Sequence, residues 1–242
     1  MKNLKKIKGD ASFRNFFRKK NKSFNSVVIF SKKEKVKNLL VYDAINKVLS
    51  KNKILAPKLH NENYNKNYIE IQDFGNKTIF DILKKKNCNK LFYFKKIVQI
   101  LNRIQLIKIR SIKNFKKKIY KIPKYEKKIL IKEAYLFCDW YAKKNLKKNQ
   151  RNKFIKDFRR IIMKLSSKLI LKNNTFVHRD FHVSNLMMVG NKIGVIDSQD
   201  ALIGNKAYDL ASLIDDVRFK TSISLKNKIY KFYIIKQNGL DK

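Results

Sequence analysis

The chain has 242 residues, 44% of them hydrophobic, and a formal net charge of +41 from 59 Lys+Arg against 18 Asp+Glu. That much apolar material excludes a disordered polyelectrolyte, and the length suits one large domain or two small lobes. No apolar run reaches the ~18–20 residues of a spanning helix, the basic N-terminus lacks the apolar centre of a signal peptide, and Cys88 and Cys138 form no C-x-x-C pair. The expectation is a cytoplasmic protein with free thiols and no membrane partner.

The positive charge has two readings. One is a nucleic-acid or anionic-membrane surface. The other is compositional drift, since Lys predominates over Arg, Asn, Ile and Phe abound, and there are only 6 Gly and 2 Pro. The lysines are spread along the whole chain, which favours drift. No specific nucleic-acid partner is expected, only salt-dependent attraction to polyanions.

In chain order, "SFRNFFRKK" and "FNSVVIFS" read as strands joined by a "KNKS" turn. Residues 33–50 place Val36, Leu39, Leu40, Ala44, Val48 and Leu49 near helical spacing. After Pro57, "KLHNENYNKNYIEIQDFG" reads as two more strands across an Asn-rich turn. Thr78 and Asp81 then stand at capping-box spacing. Helices are expected at about 90–109, 124–144 and 150–171, the last with Phe154, Ile155, Phe158, Ile161, Ile162, Leu165 and Leu169 recurring every three or four residues. Residues 174–197 return to strand and loop, and 207–219 and 224–236 to helix. The simplest layout is a small sheet lobe over 1–75, a hinge near Phe74–Gly75 and a larger helical lobe over 76–242. It is an α+β fold.

The chemistry concentrates in "FVHRDFHVSNLMM", residues 176–188. Two of the three histidines lie there, and six of the acids, all Asp, fall between 180 and 216. Asp180 and Asn185 make D-x-x-x-x-N, and Asp197 ends the apolar strand "KIGVID". A hairpin turning at Gly190 would bring Asn185 and Asp197 together. Phosphoryl transfer needs such a set: a carboxylate to accept the proton of the attacking hydroxyl, and an amide oxygen with a second carboxylate to hold Mg²⁺ against the phosphates. Asp180 is the candidate base, Asn185 and Asp197 the candidate metal ligands, with His178 and Arg179 bracing the loop. The bland alternative is a set of aspartates that cap helices and turns. A zinc site on His178 and His182 is disfavoured, because Arg179 stands where H-E-x-x-H needs Glu.

The segments "GDASFRNFFR" (9–18), "IEIQDFG" (69–75), "YLFCDWY" (135–141), "FVHRDFHVSNLM" (176–187), "GVIDSQDA" (194–201) and "AYDLASLIDD" (207–216) together resemble the aminoglycoside phosphotransferase/choline kinase superfamily. Within it the chain is most similar to the bacterial anomeric N-acetylmuramate/N-acetylglucosamine kinases of cell-wall recycling. The resemblance implies a protein-kinase-like two-lobed fold with ATP between an antiparallel-sheet lobe and a mostly helical lobe. It implies Asp180 as base, Asn185 and Asp197 on Mg²⁺, and Asp209 as an acceptor for the catalytic-loop backbone. It makes "GDASFR" the loop over the phosphates, with Gly9, Ala11, Ser12, Phe13 and Arg14 as nucleotide contacts. One glycine followed by small residues offers backbone N–H groups to phosphate.

Three features depart from the family's pattern. Phe30 stands near the position where kinases carry a lysine in the third strand, leaving Arg14, Arg18, Lys32 or Lys33 as the phosphate-pairing cation. Ser198 follows the metal-binding Asp where an aromatic is common. The chain stops at "QNGLDK", earlier than the family usually does, so a shortened helical lobe is expected.

The acceptor is read from charge. Aminoglycosides and choline are cations, and a chain at +41 with few acids outside the metal site suits them poorly. The lactyl carboxylate of N-acetylmuramate suits it better. Glu133, Asp139 and Trp140 are candidate acceptor contacts, with helix core as the alternative for the apolar members of "EAYLFCDWY". The competing functions are a kinase of another small molecule, such as an amino alcohol or aminoglycoside, and a non-catalytic kinase-like binding protein.

Overall fold

The computed structural model describes residues 4–7, 14–20, 25–31, 38–169 and 172–238. Five antiparallel strands open the chain: β1 (Leu4–Ile7), β2 (Arg14–Lys20), β3 (Asn25–Ser31), β4 (Leu59–Asn63) and β5 (Tyr68–Gln72), in the spatial order β1-β2-β3-β5-β4. The register sets Arg14 opposite Ser31, Phe16 opposite Ile29 and Arg18 opposite Val27. Because side chains alternate faces along a strand, Arg14, Phe16 and Arg18 share one face of the sheet. The expected "KNKS" turn, and Val36, lie outside the described residues.

Helix α1 (Asn38–Lys51) runs between β3 and β4 and has two apolar faces. Leu39 and Tyr42 pack on Ile29, Ile69 and Ile71 of the sheet. Ala44, Ile45, Val48 and Leu49 join the core of the helical part. One helix therefore belongs to both cores, which couples them mechanically.

The chain leaves β5 through Asp73–Asn76, where Gly75 adopts φ +83°. Short α2 (Ile79–Leu83) follows, opened by a capping box: Asp81 N donates to Thr78 Oγ1 at 3.0 Å, and Thr78 N to Asp81 Oδ2 at 3.3 Å. Helix α3 (Lys90–Gln105) follows and buries one face, with Phe94, Ile97, Val98, Leu101 and Ile104 in the core. Next comes α4 (Lys127–Leu136), which passes through a π-helical segment, Phe137–Ala142, into α5 (Lys143–Asn145), and then α6 (Lys148–Lys168). Helices α7 (Ala207–Ile214) and α8 (Ile223–Asn238) close the described chain, α8 against α3.

Two expectations change. The helix read at 124–144 is interrupted by the π-helical segment, and a hairpin of β6 (Ser111–Lys113) and β7 (Ile119–Lys121) fills part of the stretch between the helices. The stripe on α6 is only partly covered: Phe158 stacks with Phe137 and Phe154 packs on it at a tilt, but Ile161, Leu165 and Leu169 are more than half exposed.

Two short strand pairs carry the catalytic segment. β8 (Thr175–Val177) pairs with β11 (Leu202–Gly204), and β9 (Leu186–Val189) with β10 (Lys192–Val195) through a turn in which Gly190 has φ +55°. In β10, a Cβ on Gly194 would lie 2.5 Å from the ring of Phe74, which is 7% exposed. Gly194→Ala is expected to destabilise the protein by about 1–3 kcal/mol, as overpacking does. A urea denaturation midpoint equal to wild type would refute this.

Candidate active site

The β9–β10 hairpin ends with Leu186 opposite Val195. One step beyond, Ile196 N donates to the carbonyl of Asn185 at 3.0 Å. Asn185 and Asp197 therefore leave the same open end of the hairpin and line one cavity. The Asn185 amide nitrogen donates to the Asp180 carbonyl at 3.0 Å and lies 3.2 Å from His182 Nε2. With its nitrogen engaged there, the amide oxygen is the group left to face elsewhere. Asp197 sits at φ +61°, in the left-handed region, which costs a non-glycine residue about 1–3 kcal/mol unless its surroundings hold it.

The loop between β8 and β9 is held from beneath. Buried Asp209 of α7 accepts hydrogen bonds from His178 N at 2.8 Å and Arg179 N at 3.0 Å. Arg179, itself at φ +77°, forms an ion pair with Glu133 of α4, and the same carboxylate accepts from Tyr125 Oη. The His178 ring is fully buried, edge-on to Phe181 at 5.9 Å.

Burial pushes the His178 imidazole down from 6.5 to about 4. An unfolded chain therefore binds a proton there that the folded chain refuses between pH 6.5 and 4. The stability this group supplies is complete above 6.5 and is lost as pH falls through 4, on the order of 3 kcal/mol. Burial raises Asp209 to about 7 and gives the opposite slope over the same window. The His178 contribution is therefore a difference: wild type minus His178→Leu in unfolding free energy should rise between pH 4 and 6.5. A pH-independent difference would contradict it.

A cavity of about 430 Å³ lies between the sheet and the β9–β10 hairpin. Phe16, Val27, Ile71, Met187 and Ile196 give it apolar walls, and Arg14, Asn185 and Asp197 polar ones. Arg14, 7% exposed at its side chain, donates to Asp197 Oδ1 at 3.1 Å. Arg18 grips the connecting segment instead, with Nη2 on Asp73 Oδ1 and on the Gly75 carbonyl, both at 3.0 Å, and with bonds to Asp73 Oδ2 and Asn76. Of the cations that sequence left open, Arg14 reaches the metal-ligand candidate and Arg18 the connection. Lys32 and Lys33 lie outside the described residues, as do Gly9, Ala11, Ser12 and Phe13.

Asp180 is half-buried, and its carboxyl is held above the usual range, first by burial and then by the charges of Asp197 and Asp200. Among the described residues no group of three or more His, Cys, Asp or Glu side chains converges on one cation position, so the candidate ligands here are the pair Asn185 and Asp197. The Asn185 amide and the Asp197 carboxylate are hard oxygen donors of the type Mg²⁺ takes alongside phosphate and water. The donor set fits that ion.

The sequence profile described as the phosphotransferase enzyme family, APH, matches residues 3–238. The chain belongs to that family. It is similar to a protein of Pseudomonas putida named N-acetylmuramate/N-acetylglucosamine kinase, with 27% identity over 207 residues that cover 86% of this chain and 58% of that one. The chain thus spans under three-fifths of that relative's length. Among solved structures it resembles the streptomycin–ATP ternary complex of APH(2")-IIa, with TM-score 0.64, 16% identity and coverage of 97% of this chain and 78% of that chain. It also resembles an ethanolamine kinase of Plasmodium vivax, with TM-score 0.63, 16% identity and coverage of 97% and 68%. These likenesses show the kinase-like α+β fold.

The acceptor candidates of this APH-family chain stand apart from the cavity. Glu133 uses both carboxylate oxygens within the protein, on Arg179 and Tyr125. Asp139 is exposed and paired with Lys143 at 2.7 Å. Trp140 is 76% exposed and Phe137 42%, so they are not helix core. Sequence reasoning missed the roles of Tyr42 and Asn46 on α1. The Tyr42 phenol is buried against Asn46 and the Asp197 backbone, and burial raises its pKa. Their only signal was two polar side chains on a helix with apolar residues on both faces. Among the described residues, no helix is long and apolar enough to cross a membrane.

Proposed function

We propose that the chain is an ATP-dependent small-molecule kinase that phosphorylates the anomeric hydroxyl of N-acetylmuramate or N-acetylglucosamine. The observation that carries the reading is the cavity where Asn185 and Asp197 meet Arg14 beneath apolar walls, next to the half-buried Asp180. Residues 1–75 act as the nucleotide-binding lobe and 76–242 as the lobe carrying the catalytic loop. The apolar walls suit a flat heteroaromatic base, and Arg14 suits phosphate charge.

Asp180 accepts the proton of the acceptor hydroxyl as that oxygen bonds to the γ-phosphorus and the bond to the bridging β,γ-oxygen breaks, releasing ADP. Asn185 and Asp197 would hold Mg²⁺, which supplies charge neutralisation for the phosphates. Asp209, His178 and Arg179 hold the loop so that Asp180 keeps its aim. An anomeric hydroxyl is more acidic than an ordinary alcohol and asks less of its base. The excess of Lys and Arg favours an anionic acceptor: a facing pair at 4 Å gains about 4 kcal/mol at an effective dielectric of 20. The amino sugars named for the Pseudomonas putida relative agree with this, with Asp139 and Trp140 as outlying contacts.

The test is ATP consumption by the 242-residue chain with N-acetylmuramate, N-acetylglucosamine, ethanolamine, choline and an aminoglycoside in parallel. Turnover with the amino sugars, giving an acid-labile 1-phosphate, is expected. Turnover confined to the amino alcohols would put that class first, and none with any acceptor would favour a binding protein.

A further inference from the structure

Ser198 is fully buried directly after Asp197, and its hydroxyl donates to Asn46 Oδ1 on α1 at 2.7 Å. Asn46, 4% exposed, in turn donates through Nδ2 to the carbonyl of Pro57 at 3.1 Å. Both polar groups of the Asn46 amide are therefore engaged, one by the residue after Asp197 and one by the segment leading into β4. The link spans 152 positions of sequence and joins the helix shared by both cores to the left-handed turn at Asp197.

A non-glycine residue in the left-handed region persists only where its surroundings over-determine it. Three contacts act on Asp197, one of them the Tyr42 phenol of α1 against its backbone. Arg14 holds the carboxylate. The Ser198–Asn46 bond holds the backbone immediately after it. The carboxyl of Asp43, next along α1, is turned to Lys47 at 2.7 Å, so the link from α1 to this turn runs through neutral groups. An aromatic at 198 would hold such a turn by bulk. A serine can do so only through a directed bond, and a buried hydroxyl without its partner would be costly.

We propose that Asn46 and Ser198 form a positioning pair, in which α1 fixes the backbone at Asp197 and thereby sets the aim of that carboxylate for a divalent cation and nucleotide phosphate. The pair does not touch the reacting atoms. The assignment of Asp197 to metal rests on the proposed kinase function; the coupling of α1 to the turn does not.

Two measurements separate these. The first needs no ligand: amide hydrogen exchange at residues 196–200 in wild type, Ser198→Ala, Ser198→Thr, Asn46→Leu and the Asn46→Leu/Ser198→Ala double variant. Exchange should be about tenfold faster in both single variants, as loss of one buried hydrogen bond implies. It should be no faster in the double variant, and near wild type in Ser198→Thr, which keeps the hydroxyl. Unchanged exchange in Ser198→Ala would overturn the proposal. If a single variant unfolds, Ser198→Thr beside Ser198→Val, nearly equal in volume and differing in the hydroxyl, decides in its place.

The second is calorimetric titration of ATP at several Mg²⁺ concentrations. The single variants should need about tenfold more Mg²⁺ for half-maximal binding, and Ser198→Thr should not. Changed exchange with no ATP binding even in wild type would sink the kinase reading and leave the coupling standing. Changed exchange with wild-type Mg²⁺ dependence would show that the pair does not aim Asp197, and would overturn the positioning role.

Discussion

Asp180→Asn is expected to lower kcat by about 10²–10⁴, the usual contribution of a positioned acid–base group, while Mg·ATP affinity stays within about twofold of wild type. The substitution keeps the shape of the side chain and removes its capacity to take a proton. It also removes a half-buried carboxyl whose ionisation is opposed by burial and by the charges of Asp197 and Asp200. The variant should therefore melt no lower than wild type, and lost activity cannot be ascribed to unfolding. Single-turnover kinetics and nucleotide titration on one preparation decide the point. A variant keeping more than about a tenth of wild-type kcat would remove Asp180 from the role of base.

Asp197→Ala has the second large effect. Wild type should bind ATP more tightly with Mg²⁺ than without, and the variant should show nearly equal affinities and a kcat at least about a hundredfold lower. The substitution also removes the carboxylate that Arg14 meets at 3.1 Å, and with it a negative charge that opposes phosphate. Metal-free ATP should therefore bind the variant no more weakly than it binds wild type. Calorimetry with and without chelator measures both constants, and an unchanged Mg²⁺ increment would place the metal elsewhere.

The parts of this architecture that sequence revealed are those set by local rules. The Thr78–Asp81 box needs only a spacing of three, and both of its reciprocal bonds form. The approach of Asn185 to Asp197 needs only a two-stranded hairpin and a residue at Gly190 free to adopt positive φ. Where several structures suit one local pattern, the reading failed. The β6–β7 hairpin has three residues per strand, too few for alternation to show. Nothing in "FCDWYA" distinguishes a π-helical turn from the α-helix on either side. The partner of Ser198 lies 152 positions away, and that of Arg14 is 183 from it. Contacts at such separations follow from packing the sheet against the helical part, which no window of sequence contains. Phe30 and Ser198 stood out as departures, but not what replaced them.

Only nine of the 59 basic residues are arginines, yet the ion pairs that tie down the sheet, the connection and the catalytic loop use three of them. Arg14 reaches Asp197, Arg18 meets Asp73 with two parallel bonds while also touching Gly75 and Asn76, and Arg179 meets Glu133. A guanidinium is a flat fork that can serve several oxygens at fixed angles, whereas an ammonium is a point. Of the other described ion pairs, those of Asp157 and Asp216 also use arginine and the rest use lysine. Its cleft consequently depends on the shape of its cations more than on their sign, and exchanging these three for lysine would preserve the electrostatics on paper while dismantling the joints that hold sheet, connection and loop in register.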